Sequence, residues 1–214
     1  MSRMIVSVCL ALVLASACLA ADPVVATIQS WEDGTTGGLN SWGDTLVGGQ
    51  TVGVTDGALS LGVVQNTGWN FVGEMDIPSF AAAFMQSHYI EMDVTALADD
   101  YGDSAANGFN MDFAIQGGGI SWTQTSNVMA NGWWNGAMGD VTGLMKVDIS
   151  GIVASLGGVA PNWLQIFPIL NSYSNDGSMA QSVVYFDNLR LCTPEPATMA
   201  LLGLGGLALI RRKK

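Results

Sequence analysis

Two carboxylates separated by one residue, Glu91 and Asp93, come closest in this chain to a catalytic arrangement. An acid and a carboxylate on the same side of a strand can act as general acid and nucleophile in glycoside hydrolysis. The other catalytic residue types are scarce. His88 is the single histidine, and it shares the apolar side of the same alternating pattern, which favours a core or edge position over a general base. No Ser/His/Asp, Cys/His or zinc-binding set can be nominated.

The Glu91-Met92-Asp93 motif is incomplete in one respect. In jelly-roll glycosidases such a motif continues to a second glutamate three residues after the aspartate, and here Ala96 takes that place. The substitution removes either the acid or the nucleophile. We therefore predict no catalytic residues and keep a polysaccharide-degrading glycosidase or lyase as the least favoured alternative.

Exposed aromatic rings beside polar side chains are the second arrangement that could do chemistry, because sugar rings stack on tryptophan while amides and carboxylates bind their hydroxyls. Trp122, Trp133 and Trp134 fall in stretches rich in Asn, Gly and Ser. Asp112 and Gln116 lie on the polar side of a nearby strand pattern. These five residues are the predicted ligand-binding set. The alternative is that Trp133 and Trp134 split between core and solvent, and that the core also takes Trp31, Trp42, Trp69 and Trp163.

Asp187 interrupts an apolar pattern in the last predicted strand. The residues of the same parity are Val183, Tyr185, Leu189 and Leu191. An unpaired carboxylate on a buried face is costly, and a calcium ion would compensate its charge with oxygen ligands. The alternative is a β-bulge at Asp187 and Asn188 that turns both side chains to water.

The net charge of the chain excludes some classes of binding partner. Residues 22 to 193 hold seventeen Asp and Glu but only Lys146 and Arg190 as cations, a formal charge of −15. Nucleic acid is excluded as a partner because phosphate binding needs a basic face. The same acidic charge is compatible with the binding of calcium. Cys192 is the sole cysteine of this part, which rules out an intramolecular disulfide and favours a small residue at the end of a strand.

The element pattern is that of an all-β protein. Short apolar runs alternate with glycine and asparagine, and helical periodicity is scarce. Two runs alternate cleanly, with the apolar positions Ile90, Met92, Val94, Phe109, Met111, Phe113 and Ile115. Further strands are predicted at 24–31, 57–65, 68–73, 144–150, 163–171 and 182–191, and single helical turns at 79–85 and 152–156. Residues 22–192 are therefore predicted to form one β-sandwich domain.

The N-terminus predicts export. Arg3 precedes an apolar segment from Ile5 to Ala17, and small residues near Ala20 and Ala21 offer a cleavage site. These features indicate a secretory signal peptide over residues 1–21.

The C-terminus combines three features in a fixed order. Pro194, Glu195 and Pro196 form an extended segment, because proline restricts both itself and its predecessor. Fourteen uncharged residues follow, from Ala197 to Ile210, which as a helix would rise about 21 Å. The chain ends on four cations that would stop transfer and stay cytoplasmic, namely Arg211, Arg212, Lys213 and Lys214. A single transmembrane helix is predicted, shorter than the hydrocarbon core and assisted by its basic end.

This tail resembles the PEP-CTERM sorting signal of exported bacterial proteins, carried here by Pro194-Glu195-Pro196-Ala197-Thr198, the apolar run and the basic end. The resemblance covers residues 193–214. It implies an exosortase as partner, residence in the inner membrane before processing, and a final place at the cell surface or in the extracellular matrix.

The body resembles jelly-roll carbohydrate-binding modules. Trp31-Glu32-Asp33-Gly34, the stretch from Thr55 to Leu61, and the stretch from Val184 to Leu191 are similar to the first and last strands of such modules. The resemblance implies a jelly-roll sandwich and a structural calcium that joins the acidic residue of the first strand to the aspartate of the last. Carried over, these positions are Glu32 and Asp187, with Asp33 and backbone carbonyls to complete the shell.

These observations predict an exported, exosortase-processed and non-catalytic surface or matrix protein that binds polysaccharide. A structural or adhesive matrix protein, using the same sandwich for protein contacts, is the alternative within the non-enzymes.

Overall fold

The computed structural model describes residues 22–41, 51–63, 69–101, 107–129, 132–174 and 182–194. The predicted signal peptide and the tail from 195 onward lie outside these ranges. Val25–Cys192 form one compact unit. Just outside it, the Thr193 amide donates to the carbonyl of Pro23 at 3.0 Å. Among the described residues we find no helix that is both long enough and apolar enough for a membrane crossing.

The described strands form two antiparallel sheets, which confirms the predicted all-β jelly-roll sandwich. Sheet 1 has the order β10-β6-β12-β4-β3, with β1 paired to β12; sheet 2 has the order β2-β5-β11-β7-β8, with β9 paired to β7. Their bounds are β1 Val24–Gln29, β2 Asn40–Ser41, β3 Thr51–Thr55, β4 Ala58–Val63, β5 Trp69–Asp76, β6 Tyr89–Ala96, β7 Asn107–Gly117, β8 Ile120–Thr125, β9 Trp134–Asn135, β10 Val141–Asp148, β11 Leu164–Ser174 and β12 Ser182–Cys192.

Short helical elements connect some of the strands. They are α1 Ala81–Phe84, α2 Ala98–Tyr101 and α3 Ser150–Ser155, with 3-10 turns at Pro78–Phe80 and Gly136–Met138. The two helical turns predicted from the sequence correspond to α1 and α3.

The core lies between the sheets and follows the predicted alternation. On β6 and β7 every second side chain packs into the main core, and these are Ile90, Met92, Val94, Phe109, Met111, Phe113 and Ile115. β-branched and aromatic residues suit this pleated, half-buried geometry, because alternate side chains point to opposite faces. The opposite face of each sheet is therefore free to carry polar groups.

A tight hairpin joins β3 to β4. Thr55 pairs with Ala58, so the loop consists of Asp56 and Gly57, whose φ values are 50° and 80°. Two successive positive φ angles define the turn whose twist matches antiparallel strands, and an Asp-Gly pair adopts it readily. This hairpin brings Asp56 to the edge of sheet 1.

In β12, the last strand, the buried residues do not follow the single alternating pattern that the sequence predicted. Val184 and Phe186 are buried, and after a register shift between Asp187 and Arg190 the buried residues are Leu189 and Leu191. Asn188, at φ 51°, occupies the bulge. A bulge adds a residue and reverses the alternation. Asp187 therefore does not share a face with Leu189 and Leu191, and the bulge alternative is the one observed.

Candidate functional site

An apolar cluster lies on the outer face of sheet 2, which we define as the side chains of β5, β7, β8 and β11 that point away from the core between the sheets. Val72, Ala114, Phe167 and Ile169 are each no more than 1% exposed and are separate from the main core. The indole of Trp122 packs on Phe167, with ring centroids 4.8 Å apart and tilted by 49°. The outer face thus has an apolar floor beneath a tryptophan.

A row of three polar side chains crosses the same face next to this floor. The Gln116 side-chain nitrogen donates to Gln165 Oε1 at 2.8 Å, and Gln165 Nε2 donates to Glu74 Oε1 at 2.6 Å. We call these residues the polar row. They come from the adjacent strands β7, β11 and β5, and all three are half-buried. The row therefore lies across the strand direction.

Two tryptophans flank the polar row and keep part of their surface in solvent. Trp122 on β8 is 37% exposed, and Trp163, directly before β11, is 44% exposed. The Trp163 carbonyl accepts the Gly118 amide at 2.9 Å, and a Cβ at Gly117 would lie only 2.7 Å from it. Glycine at position 117 is thus required for this close approach. The alternative interpretation, which placed Trp163 in the core, is wrong for this residue.

Asp112 supports the face from within rather than presenting a free carboxylate. It is 7% exposed and accepts hydrogen bonds from Gln124 Nε2 at 3.1 Å, Ser126 Oγ at 3.3 Å and the Asn127 amide at 3.0 Å. Asn127 in turn accepts from Asn110 Nδ2. These bonds hold the chain after β8, where Asn127 has a φ of 56°. Asp112 therefore positions this segment, and its direct contact with a ligand stays a prediction.

Two buried acceptors lie at the far end of the same face. Asn110 and Asn171 are Cα partners across β7 and β11. Within the described part of the chain, their Oδ1 atoms are buried and have no hydrogen-bond partner. A buried polar atom without a partner is rare and costly. Both atoms would be satisfied by a donor, not by an acceptor.

Of the adjacent tryptophans at 133 and 134, one is buried and the other is exposed, as the alternative interpretation predicted. Trp134 is 2% exposed, donates through Nε1 to the Gly139 carbonyl at 3.2 Å, and packs on Phe109. Its predicted place in the ligand-binding set is wrong. Trp133 is 51% exposed but adjoins the start of β7, while Trp122 adjoins the other end of that strand, between the partners of Ile115 and Gly117. At about 3.4 Å per residue, the six residues from Phe109 to Ile115 span roughly 20 Å.

Glu91 and Asp93 are engaged in ion pairs on the outer side of sheet 1. Glu91 is 1% exposed and lies 3.2 Å from Lys146 Nζ and 3.4 Å from Arg190 Nε. Arg190 also binds Asp93 at 2.9 and 3.1 Å. The Lys146 ammonium lies 3.9 Å from the centre of the Tyr89 ring. The two carboxylates are thus neutralised by their own protein.

Cys192 adjoins the same network at the end of β12, as the sequence predicted for a small strand-end residue. Its thiol donates to Glu91 Oε2 at 3.5 Å. Burial, followed by the charge of Glu91, raises the pKa of the Cys192 thiol to about 11. The thiol is therefore protonated at neutral pH and unreactive as a nucleophile. His88, directly before the inner strand β6, is exposed; its amide donates to the Cys192 carbonyl and its carbonyl accepts from the Ile149 amide, both at 2.8 Å.

The predicted calcium ligands Glu32 and Asp187 both approach the β3–β4 hairpin. A Cβ at Gly57 would lie 3.0 Å from Glu32 Oε2. Asp187 accepts from the Asn188 amide at 2.6 Å and from Asn188 Nδ2 at 3.0 Å. Over the described ranges, no three or more His, Cys, Asp or Glu side chains are grouped so as to hold a metal ion. Calcium at Glu32 and Asp187 stays a prediction.

Asp187 also lines an open pocket of about 430 Å³ on the outer side of sheet 1, together with Asp56, Asp100 and Tyr185. The Tyr185 hydroxyl donates to Asp100 Oδ2 at 2.7 Å, which ties β12 to α2. Burial, followed by this hydrogen bond and the charge of Asp100, raises the pKa of Tyr185 to about 12. The pocket wall is consequently acidic.

Comparison with known protein families confirms the interpretation of the tail. The PEP-CTERM protein-sorting motif matches residues 193–214, the segment that the sequence predicted. No curated protein matches the chain.

Several solved structures are similar to the body. The CBM22-1 xylan-binding domain of Paenibacillus barcinonensis Xyn10C is 17% identical, with 82% of this chain and 100% of that chain covered and a TM-score of 0.43. The C-terminal family 22 carbohydrate-binding module of Clostridium thermocellum Xyn10B is 10% identical, with 82% of this chain and 97% of that chain covered and a TM-score of 0.37. The β-1,2-glucanase from Parabacteroides distasonis is 13% identical, with 81% of this chain and 25% of that chain covered and a TM-score of 0.42. Likeness at this level carries no inference about what this chain binds. The chain thus carries a PEP-CTERM protein-sorting motif after a jelly-roll β-sandwich.

Proposed function

We propose that this chain is an exported protein that binds polysaccharide on the outer face of sheet 2 without cleaving it. The observation that carries this proposal is the polar row beside Trp122. An aromatic ring over an apolar floor offers a stacking surface, and the adjoining amides and carboxylate offer hydrogen bonds to hydroxyls. All of these groups are set on strands of one sheet, which holds them in fixed relative positions.

Binding without cleavage is supported by the state of the carboxylates. Hydrolysis of a glycosidic bond needs two carboxyl groups that can reach the substrate, one on each side of the bond. Glu91 is buried in ion pairs with Lys146 and Arg190, and Asp112 accepts three hydrogen bonds from its own protein. We therefore assign Glu91 and Asp112 to structure and no residue to catalysis.

The C-terminal motif supports export and processing. We propose that an exosortase recognises Pro194, Glu195 and Pro196 while residues 197–210 hold the chain in the inner membrane, and that the product goes to the cell surface or the extracellular matrix. The sequence predicts an extended segment here, because each proline restricts itself and its predecessor, and such a segment suits recognition by a membrane enzyme. The acidic body, at −15, suits a solvated extracellular setting.

The binding proposal is tested by cosedimentation with a panel of insoluble polysaccharides and by a glycan array. We expect at least one neutral polysaccharide to bind the wild type, and binding to fall about tenfold in Trp122→Ala. Trp133→Ala is the matched control, since it removes an exposed tryptophan away from the polar row, and it should bind as the wild type does. Failure of the wild type to bind any polysaccharide would contradict the proposal.

A further inference from the structure

We infer that Glu74 fixes the direction of every hydrogen bond along the polar row, and that the face consequently selects uncharged, hydroxyl-bearing glycans over glycans that carry carboxylate or sulfate groups. The inference rests on the proposed function, because it assigns the ligand class of the same face. Glu74 acts through Gln165 and Gln116 and is therefore a positioning residue.

The first step concerns the orientation of the two amides. A glutamine side chain can donate or accept at either end, so two glutamines alone could form a chain in either direction. An ionised carboxylate can only accept. Because Glu74 Oε1 lies 2.6 Å from the Gln165 side-chain nitrogen, the Gln165 oxygen must face Gln116, and Gln116 must donate. The carboxylate thus sets an orientation that extends over three strands.

The second step concerns what the row offers to a ligand. The bonds of the row use Oε1 of Glu74 and the nitrogen of Gln116. The two ends of the row are therefore oxygen atoms, Oε2 of Glu74 and Oε1 of Gln116, and both accept hydrogen bonds. Each of the two amide nitrogens keeps one further hydrogen that it can donate. A hydroxyl group can donate to the oxygens and accept from the remaining N–H groups, whereas a carboxylate or sulfate can only accept.

The third step concerns charge. Lys146 and Arg190 are the cations between residues 22 and 193, and they lie on β10 and β12 of sheet 1. Both are paired with Glu91, and Arg190 also with Asp93. The strands of sheet 2 carry Glu74, Asp76 and Asp112 and no lysine or arginine. An anionic glycan at the row meets like charge and no cation that could bind it.

The test compares a neutral glycan that the wild type binds with its carboxymethylated derivative, which keeps the backbone and adds charge. We expect the wild type to prefer the neutral form at least tenfold. Glu74→Gln removes the charge at almost constant shape and frees the amides to turn, so the preference should fall to about twofold. Asp99→Asn on α2, away from sheet 2, makes the same charge change and should leave the preference at its wild-type value.

Salt separates the two contributions to selectivity. Like-charge repulsion near the surface weakens as ionic strength rises, since the Debye length falls from about 10 Å at 0.1 M to about 3 Å at 1 M. The contribution of the fixed hydrogen-bond direction does not depend on this screening. We therefore expect the wild type to retain a preference for the neutral glycan at 1 M salt, and Glu74→Gln to lose it.

A ligand-free measurement keeps the inference testable if binding changes for other reasons. In NMR spectra, the side-chain amide resonances of Gln165 and also of Gln116 should move in Glu74→Gln, with backbone resonances of sheet 1 unchanged. Movement of Gln165 alone would overturn the idea that orientation is transmitted along the row. Neutral binding with an equal preference in wild type and Glu74→Gln would also overturn this inference, while leaving the proposed function intact. Absence of all binding to the wild type would instead contradict the proposed function.

Discussion

Arg190 binds both carboxylate oxygens of Asp93, through Nη1 at 2.9 Å and Nη2 at 3.1 Å, while its Nε lies 3.4 Å from Glu91. A single guanidinium thus bridges two acidic residues of the neighbouring strand. Such forked pairing is geometrically specific, and it also compensates a carboxylate that is almost completely buried. The acidic pair of β6 is thereby part of the framework of sheet 1.

Removal of this guanidinium should destabilise the fold. In Arg190→Ala, Glu91 stays buried with Lys146 as its remaining cation, and we expect the free energy of unfolding to fall by about 3 kcal/mol. Lys146→Ala is the comparison, because Lys146 is 36% exposed and its loss should cost about 1 kcal/mol. Urea denaturation measures both values. Equal and small effects of the two changes would contradict the assignment of Glu91 to the buried network.

Alkaline pH should weaken the fold through Cys192. Its thiol has an ordinary pKa of 9.0, and in the folded protein its pKa is raised to about 11. Between these values the unfolded chain releases the proton while the folded chain retains it, so the unfolded state binds fewer protons and stability falls as pH rises. The loss from this group should be about 2 kcal/mol between pH 9 and 11. Cys192→Ala should flatten this part of the stability curve, and an unchanged slope would refute the assignment.

The prediction of calcium is tested directly by thermal unfolding. If Glu32 and Asp187 share an ion, chelation should lower the melting temperature and added calcium should restore it. Glu32→Gln and Asp187→Asn should each remove this response, because each takes away a charged oxygen ligand. Asp99→Asn should keep it. A melting temperature that is indifferent to both chelator and calcium would mean that no structural calcium is bound.

The sorting motif predicts a difference in mass between hosts. A host with an exosortase should yield a product that has lost Arg211, Arg212, Lys213 and Lys214, whereas a host without one should retain them. Glu195→Ala in the first host should preserve the full mass, since it alters the recognised segment without touching the apolar run. Equal masses of the wild type in both hosts would contradict processing and indicate that the tail is an ordinary membrane anchor.

The core was predictable wherever the alternation was uninterrupted. The buried side of β7, from Phe109 to Ile115, follows directly from the sequence, because a strand has a period of two residues. The β3–β4 hairpin was not predicted as such, although Asp56-Gly57 is a strong sequence signal for it. Because the chemistry of this turn is local, the hairpin can be predicted from the sequence alone.

The last strand could not be derived from periodicity alone. A bulge at Asp187 and Asn188 exchanges the two faces of β12, so that Val184 and Phe186 replace Val183 and Tyr185 on the inside. A bulge is stabilised by the partner strand, here β6, and no alternating pattern within β12 reveals it.

The polar row was only partly predictable. Gln116 was identified from its place on the polar side of β7, but Glu74 and Gln165 were not. Their contact joins residues 91 positions apart, and it exists because β11 pairs with both β5 and β7. The tryptophans show the same limit. Trp133 and Trp163 are exposed, whereas Trp134 and Trp31 are buried. The spacing of the residues in the sequence does not distinguish these two groups, because their burial depends on strand pairing.

The central claim is that the outer face of sheet 2 binds polysaccharide, and NMR titration with a bound oligosaccharide tests it most directly. We expect the largest shifts at the indole N–H of Trp122 and at the side-chain amides of Gln116 and Gln165. Resonances of Tyr185 and Trp133 should stay in place. Shifts concentrated at Trp133 or around the pocket beside Tyr185, with Trp122 and the polar row unmoved, would contradict the account.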